Sequence, residues 1–267
     1  MDWYLAVIYR SAVNQMKLSL ARTMMRFVIL IQPLVFATLS YFMLRRSGMV
    51  GYGEYVVTGS GLITLWMSTL WSSATDIDRE RWMGTLEVLL VAPIPFPAIV
   101  LGKILGNLVL GYVAFALTYI YSLVVLRVPM PMAHPWRVVI GLAALTVALV
   151  GFSLFLGLLF TLSRRANVVA NGLSFPMYLV SGLYFPLAFL PVWARGLGLA
   201  MPLAWAKEAL RWAVVGEAAA GQMVTPSFWA AVSGLTLLGL GYTAGALLLY
   251  RYVIHYKIRR QGQLGLA

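Results

Sequence analysis

Six stretches of 18 or more residues carry no charged side chain: 27–44, 55–75, 104–126, 138–163, 166–185, and the part of 218–250 that follows Pro226. A helix of roughly 20 apolar residues crosses about 30 Å of hydrocarbon. Six such runs in 267 residues leave little chain for anything but membrane helices. Composition agrees: 61% of residues are hydrophobic, 10% are charged and mean hydropathy is +0.86. A soluble domain carries about 25% charge, so a water-covered globule is excluded. Disorder is excluded too, because it needs low hydrophobicity. The expected fold is all-α and polytopic, with six transmembrane helices in a single domain over 1–267.

Six spans place both termini on one face. That face receives 13 of the 20 Lys and Arg residues, among them Arg10, Lys17, Arg22, Arg26, Arg79, Arg81 and Lys103. The other receives 7, including Arg195, Lys207 and Arg211. Basic residues favour the cytoplasmic side, so both termini are expected in the cytoplasm of a cell (inner) membrane protein. The formal charge of +12 then reads as an anchor on anionic lipid, with no nucleic-acid partner. There is no cysteine for a disulfide or thiolate metal site. His134 and His255 have no second ligand nearby in sequence, and no metal site is expected. The N-terminus lacks the short apolar core and cleavage site of a signal peptide.

Residues 1–25 form a seventh element. Leu5, Ile8, Tyr9, Ala12, Val13, Met16 and Leu20 recur at helical spacing, with Arg10, Asn14 and Lys17 on another stripe. This predicts an amphipathic helix along the inner membrane surface. Two close-contact pairs, Gly102/Gly106 and Gly241/Gly245, offer helix packing in lipid.

The spans hold no ionisable side chain at mid-membrane, which disfavours a proton- or sodium-coupled carrier. The chain also lacks a phosphate-binding loop, a Gly-x-Ser-x-Gly elbow and a His-Glu-x-x-His helix. It is therefore expected to be non-catalytic, with energy coming from a partner.

Half of the eight acidic residues, Asp76, Asp78, Glu80 and Glu87, fall in one cytoplasmic loop, 76–97. Charges alternate before Gly84, and the segment after it is apolar up to Pro93. A short helix there would present Asp78, Arg79, Glu80 and Arg81 to a partner and tuck Leu86, Leu89 and Leu90 against the membrane. Alternatively, Asp76, Asp78 and Glu80 would bind magnesium in a membrane phosphotransferase, although Arg79 and Arg81 oppose this. A secondary carrier is the third alternative.

The segment Glu80 … Gly84-Thr85-Leu86-Glu87 … Pro93 … Gly102-Lys103 resembles the signature of type-2 ATP-binding cassette (ABC) exporter permeases. So does the order Ser181-Gly182-Leu183-Tyr184-Phe185-Pro186, Leu190-Pro191, Pro202-Leu203, Glu208 … Arg211. The likeness is nearest to the daunorubicin-resistance and nodulation-factor branch. It implies a permease that exports an amphipathic drug-, lipid- or glycolipid-like substrate. It also implies two ATPase subunits, which hold the ATP and magnesium, and a second permease subunit. The coupling helix would comprise Asp78, Arg79, Glu80, Arg81, Gly84, Thr85, Leu86 and Glu87.

The outer segment 186–225 is too apolar for a free loop and is expected to fold as re-entrant helices before the last span. Phe185, Pro186, Pro191, Pro202, Glu208 and Arg211 are candidates for an outer gate, with Glu208 and Arg211 paired at i,i+3. Trp66, Trp71, Phe175, Tyr178 and Tyr184 are candidates to line a substrate path, against the alternative that they pack the core or anchor it at the interface.

Overall fold

The computed structural model describes residues 2–46, 52–71, 76, 79–85, 89, 96–128, 132–161, 168, 172, 176–184, 187–217, 221 and 223–252. These residues are almost entirely helical. Helix α1 runs Asp2–Ala21, α2 Thr23–Leu30 and α3 Gln32–Leu44. A rod of helical backbone over 52–71 comprises π-helices Tyr55–Gly59 and Met67–Trp71 around α4, Ser60–Trp66. Then follow α5 Phe96–Val124, α6 Pro135–Thr161, α7 Val192–Leu199, α8 Pro202–Val214 and α9 Phe228–Tyr252. Thr23–Leu44, Phe96–Val124, Pro135–Phe160 and Phe228–Tyr252 are each long and apolar enough to cross a membrane. The protein is an all-α polytopic membrane protein. Of the fifth expected span, 166–185, the structure describes residues 168, 172 and 176–184.

Local chemistry sets the interruptions. The first span, expected unbroken over 27–44, is instead split at Ile31. Pro33 has no N–H to give the Ile29 carbonyl, and Leu34 and Val35 both donate to Ile31 at 3.1 Å. In the rod, hydroxyls fold back onto carbonyls, as in Thr64 to Ser60 and Thr69 to Leu65, each 2.9 Å. This satisfies each hydroxyl where no water reaches, and loosens the regular ladder.

The rod is buried along nearly its whole length, and glycines let its neighbours close around it. Gly59 lies so near the turn after residue 180 that a Cβ there would sit 2.5 Å from the Leu183 carbonyl oxygen. The Gly102/Gly106 pair seats α1 on α5: Cβ atoms there would fall 2.6 Å from the Ile8 carbonyl oxygen and 2.5 Å from that of Ala12. The expected pairing through Gly241 and Gly245 is corrected. Gly241 faces open space, and Gly239 makes the backbone approach to Ala148 on α6.

Helix α1 also differs from its predicted stripe. Ile8, Ala12 and Met16 turn toward α5, while Leu5, Tyr9 and Leu20 stay exposed. Gln15 and Ser19, outside the apolar stripe, are buried.

The helices pack as two groups. α1, α2, α3 and the rod gather on α5; α6, α8 and α9 pack on one another. Among the described residues, few polar contacts cross the seam between the groups. Near its middle, the Tyr112 hydroxyl donates to the Leu142 carbonyl at 2.9 Å and lies 2.6 Å from the Thr146 hydroxyl. Trp66 packs on Phe152 across it, ring centroids 5.1 Å apart.

Candidate functional site

Residues 79–85 form the longest described stretch at the centre of the polar loop. The Lys103 ammonium lies 2.5 Å from Glu80 Oε1, and the Thr85 hydroxyl donates to the same carboxylate. The Arg81 guanidinium donates to the Phe160 carbonyl at 3.5 Å. Glu80 and Arg81 are therefore turned onto the chain's own α5 and α6, where the sequence suggested charges offered to a partner. The reason is local: Lys103, about two turns into α5, places its ammonium on the half-buried Glu80 carboxylate. Burial raises the Glu80 carboxyl, but Lys103, Thr85 and Arg79 together hold it below its ordinary value.

What the loop exposes is apolar. Trp82 is 90% and Met83 59% exposed. Gly84 follows at φ +69°, a left-handed turn that glycine adopts without a Cβ penalty. Asp78, Leu86 and Glu87 lie outside the described residues.

Behind the loop is a network absent from the sequence reading. Gln15 donates to Asp76 at 2.6 Å and to Asn107 at 3.3 Å, and Ser19 donates to Asn107 at 3.0 Å. Arg22 reaches Asp76 at 3.4 Å. Burial pushes the Asp76 carboxyl up, against Lys103 and Arg22. Asp76 and Glu80 are thus engaged by separate donors. Among the described residues, no three His, Cys, Asp or Glu side chains are placed to hold one metal ion.

At the other end of the rod is a second polar cluster. Lys207 donates to Glu54 Oε1 and to the Thr58 hydroxyl, each at 2.6 Å. Its Nζ sits 3.8 Å from the centre of the Tyr55 ring. Arg211 lies over the same ring at 4.6 Å and donates to its hydroxyl. The proposed pairing of Glu208 with Arg211 is corrected. Glu208 accepts from the backbone N–H of Val224 at 3.0 Å and of Thr225 at 3.1 Å, and from the Thr225 hydroxyl. Those N–H groups precede α9 and point at Glu208, whereas Arg211, one turn further on α8, faces Tyr55.

Of the other gate candidates, Pro191 caps α7 and Pro202 opens α8, the first-turn position where a missing N–H matters least. Phe185 and Pro186 are outside the described residues. Of the path candidates, Trp66 and Tyr178 are buried in the main core and Tyr184 packs against it. Trp71 closes the second π-helix, with its side chain outside the described set, as is Phe175.

A model of the family described as ABC-2 type transporter matches residues 5–215. The chain belongs to this family. It is accordingly the membrane subunit of an ABC transporter. It is 28% identical over 137 residues to "Probable multidrug ABC transporter permease YbhR" of Escherichia coli strain K12 and of Escherichia coli O157:H7. Each alignment covers 49% of this chain and 35% of the relative, so the chain spans about a third of the curated relatives' length. The family match includes the loop and both helices α7 and α8, and it ends before α9.

Proposed function

We propose that this chain couples ATP hydrolysis in partner ATPase subunits to export of an amphipathic drug-, lipid- or glycolipid-like substrate. The observation that carries the reading is the inversion of polarity in 79–85. Glu80 and Arg81 brace it from behind, and its exposed tip carries Trp82 and Met83. An aromatic and a methionine on a fixed turn are suited to fill an apolar pocket in another protein. Two ATPase subunits would bind the ATP and magnesium, and a second permease would complete the pore. The relatives' description as multidrug permeases supports a broad substrate class, and the order of the sequence motifs supports the daunorubicin-resistance and nodulation-factor branch. Both termini would be cytoplasmic in the inner membrane.

The test is reconstitution with the ATPase in vesicles. ATP should drive accumulation of a lipophilic cationic dye, and Trp82→Ala with Met83→Ser should abolish it while the ATPase alone still hydrolyses ATP. Unaltered dye movement in the double variant would refute the docking reading.

One observation favours a second reading, an ion-coupled carrier. Glu54, Lys207, Glu208 and Arg211 are all buried. Dye movement driven by a proton gradient without ATPase would establish that reading instead.

A further inference from the structure

The cluster around Glu54 has no part in docking the 79–85 loop, and it is built differently. Glu54 and Lys207 are 153 residues apart in sequence and join the two groups of helices across the seam. Their side chains are 0% and 3% exposed. Helix α8 packs broadly on α6 and α9 but touches the rod at few points, so this pair is a principal tie between α8 and the rod. The tie sits where the rod is least regular, since Glu54 immediately precedes the first π-helix. Such bulges recur at functional sites.

The pair is also incompletely satisfied. Glu54 Oε2 is buried without a hydrogen-bond partner among the described residues. A dry ion pair recovers only part of its dehydration penalty, and both charges regain water when it parts. The joined and parted states are then closer in free energy than an apolar contact of equal area would allow, which suits a contact made and broken in a cycle. Further along the same seam, the indole N–H of Trp66 and the hydroxyl of Ser181 are buried and unpartnered among the described residues. A parted seam would give both groups hydrogen-bonding company.

We propose that Glu54–Lys207 is a latch that closes the seam at the end opposite the 79–85 loop, and that its release exposes the rod from that face. This rests on the reading of the chain as a transport subunit. The substrate that leaves along the opened seam would carry a hydrogen-bond acceptor for Trp66.

The chain has no cysteine, so one introduced thiol reports without background. Ser60, two residues past Thr58, and Ser68, further along the rod, are both buried. Ser60→Cys and Ser68→Cys are made separately, reconstituted with the ATPase, and probed with a membrane-impermeant maleimide from the face opposite the loop. Without ATP, Ser60→Cys should react slowly, and adding Glu54→Gln should speed it about ten-fold or more, as expected of a shifted open population. The exchange Glu54→Lys with Lys207→Glu should return it to the slow rate, which also covers poor folding of the single variant. Ser68→Cys should stay slow throughout. An unchanged rate with Glu54→Gln overturns the latch, and so does equal acceleration at Ser68→Cys, which marks general loosening. If ATP speeds Ser60→Cys but Glu54→Gln does not, the latch falls and the ATP-driven reading stands. If Glu54→Gln speeds it but ATP does not, the latch stands and the ATP-driven reading falls.

Discussion

Two Glu–Lys pairs sit at opposite ends of the molecule with the same chemistry and nearly the same length. Lys207 to Glu54 is 2.6 Å and Lys103 to Glu80 is 2.5 Å. The first has side chains 3% and 0% exposed, the second 21% and 23%. Distance therefore says little about what either pair does; water decides. A dry pair holds charges that cannot be left alone, whereas a half-wet pair orients a loop at small energetic consequence. The first suits a tie that is all or nothing, the second a brace that adjusts.

The strongest way to break this contrast is to remove one partner at each end. Lys207→Met leaves Glu54 buried and unpaired and should destabilise the purified protein by about 3–5 kcal/mol in thermal unfolding. Lys103→Met should lower stability by less than about 1 kcal/mol. Equal losses would erase the distinction. Replacing both outer partners, Glu54→Gln with Lys207→Met, should restore most of that stability, to within about 1–2 kcal/mol of the parent. At the inner end, backbone shape should outweigh charge. Gly84→Ala forces a Cβ into the left-handed region and should raise local opening of 82–85 by about 1–2 kcal/mol in hydrogen exchange, more than Glu80→Gln does.

The smallest effects come from the solvent. At about 1 M salt the screening length is about 3 Å, so the Glu80 brace should weaken and the Glu54 tie should not. Acid should act oppositely on the loop and on its support. Glu80 is held below 4.5, so its contribution is present above that pH and lost as pH falls through the lower folded value. Asp76 is raised above 3.8, so its protonated form favours the fold, and that contribution is lost as pH rises through the folded value. Hydrogen exchange below pH 4.5, corrected for intrinsic rates, should show 82–85 loosening while the Gln15–Asp76 contact holds.

The long helices were legible because apolar length is a local property. α6 and α9 begin within three residues of their uncharged runs, whereas α5 begins at Phe96, eight residues before its run at 104, because Lys103 is accommodated beside Glu80. The Gly102/Gly106 seat was legible as a motif, but its partner α1 was not, since nothing local says which helix fills a groove. For the outer polar residues, spacing did not identify the partners. Glu208 and Arg211 have the right spacing for each other, yet tertiary packing turns one to Thr225 and the other to Tyr55. Glu54 and Lys207 bound separate segments in sequence, and only the fold brings them together. Gln15, Ser19 and Asn107 look like ordinary polar residues, and three of them around one aspartate is visible only in space.

The central question is whether the apolar tip of the loop, rather than its charges, meets the ATPase. Affinity of the detergent-purified permease for its ATPase subunit decides this. Trp82→Ala should weaken binding by about 30-fold, the effect of losing a buried aromatic anchor, while Glu80→Gln changes it only a few-fold. Unchanged affinity with Trp82→Ala, or a larger loss with Glu80→Gln, would contradict the account.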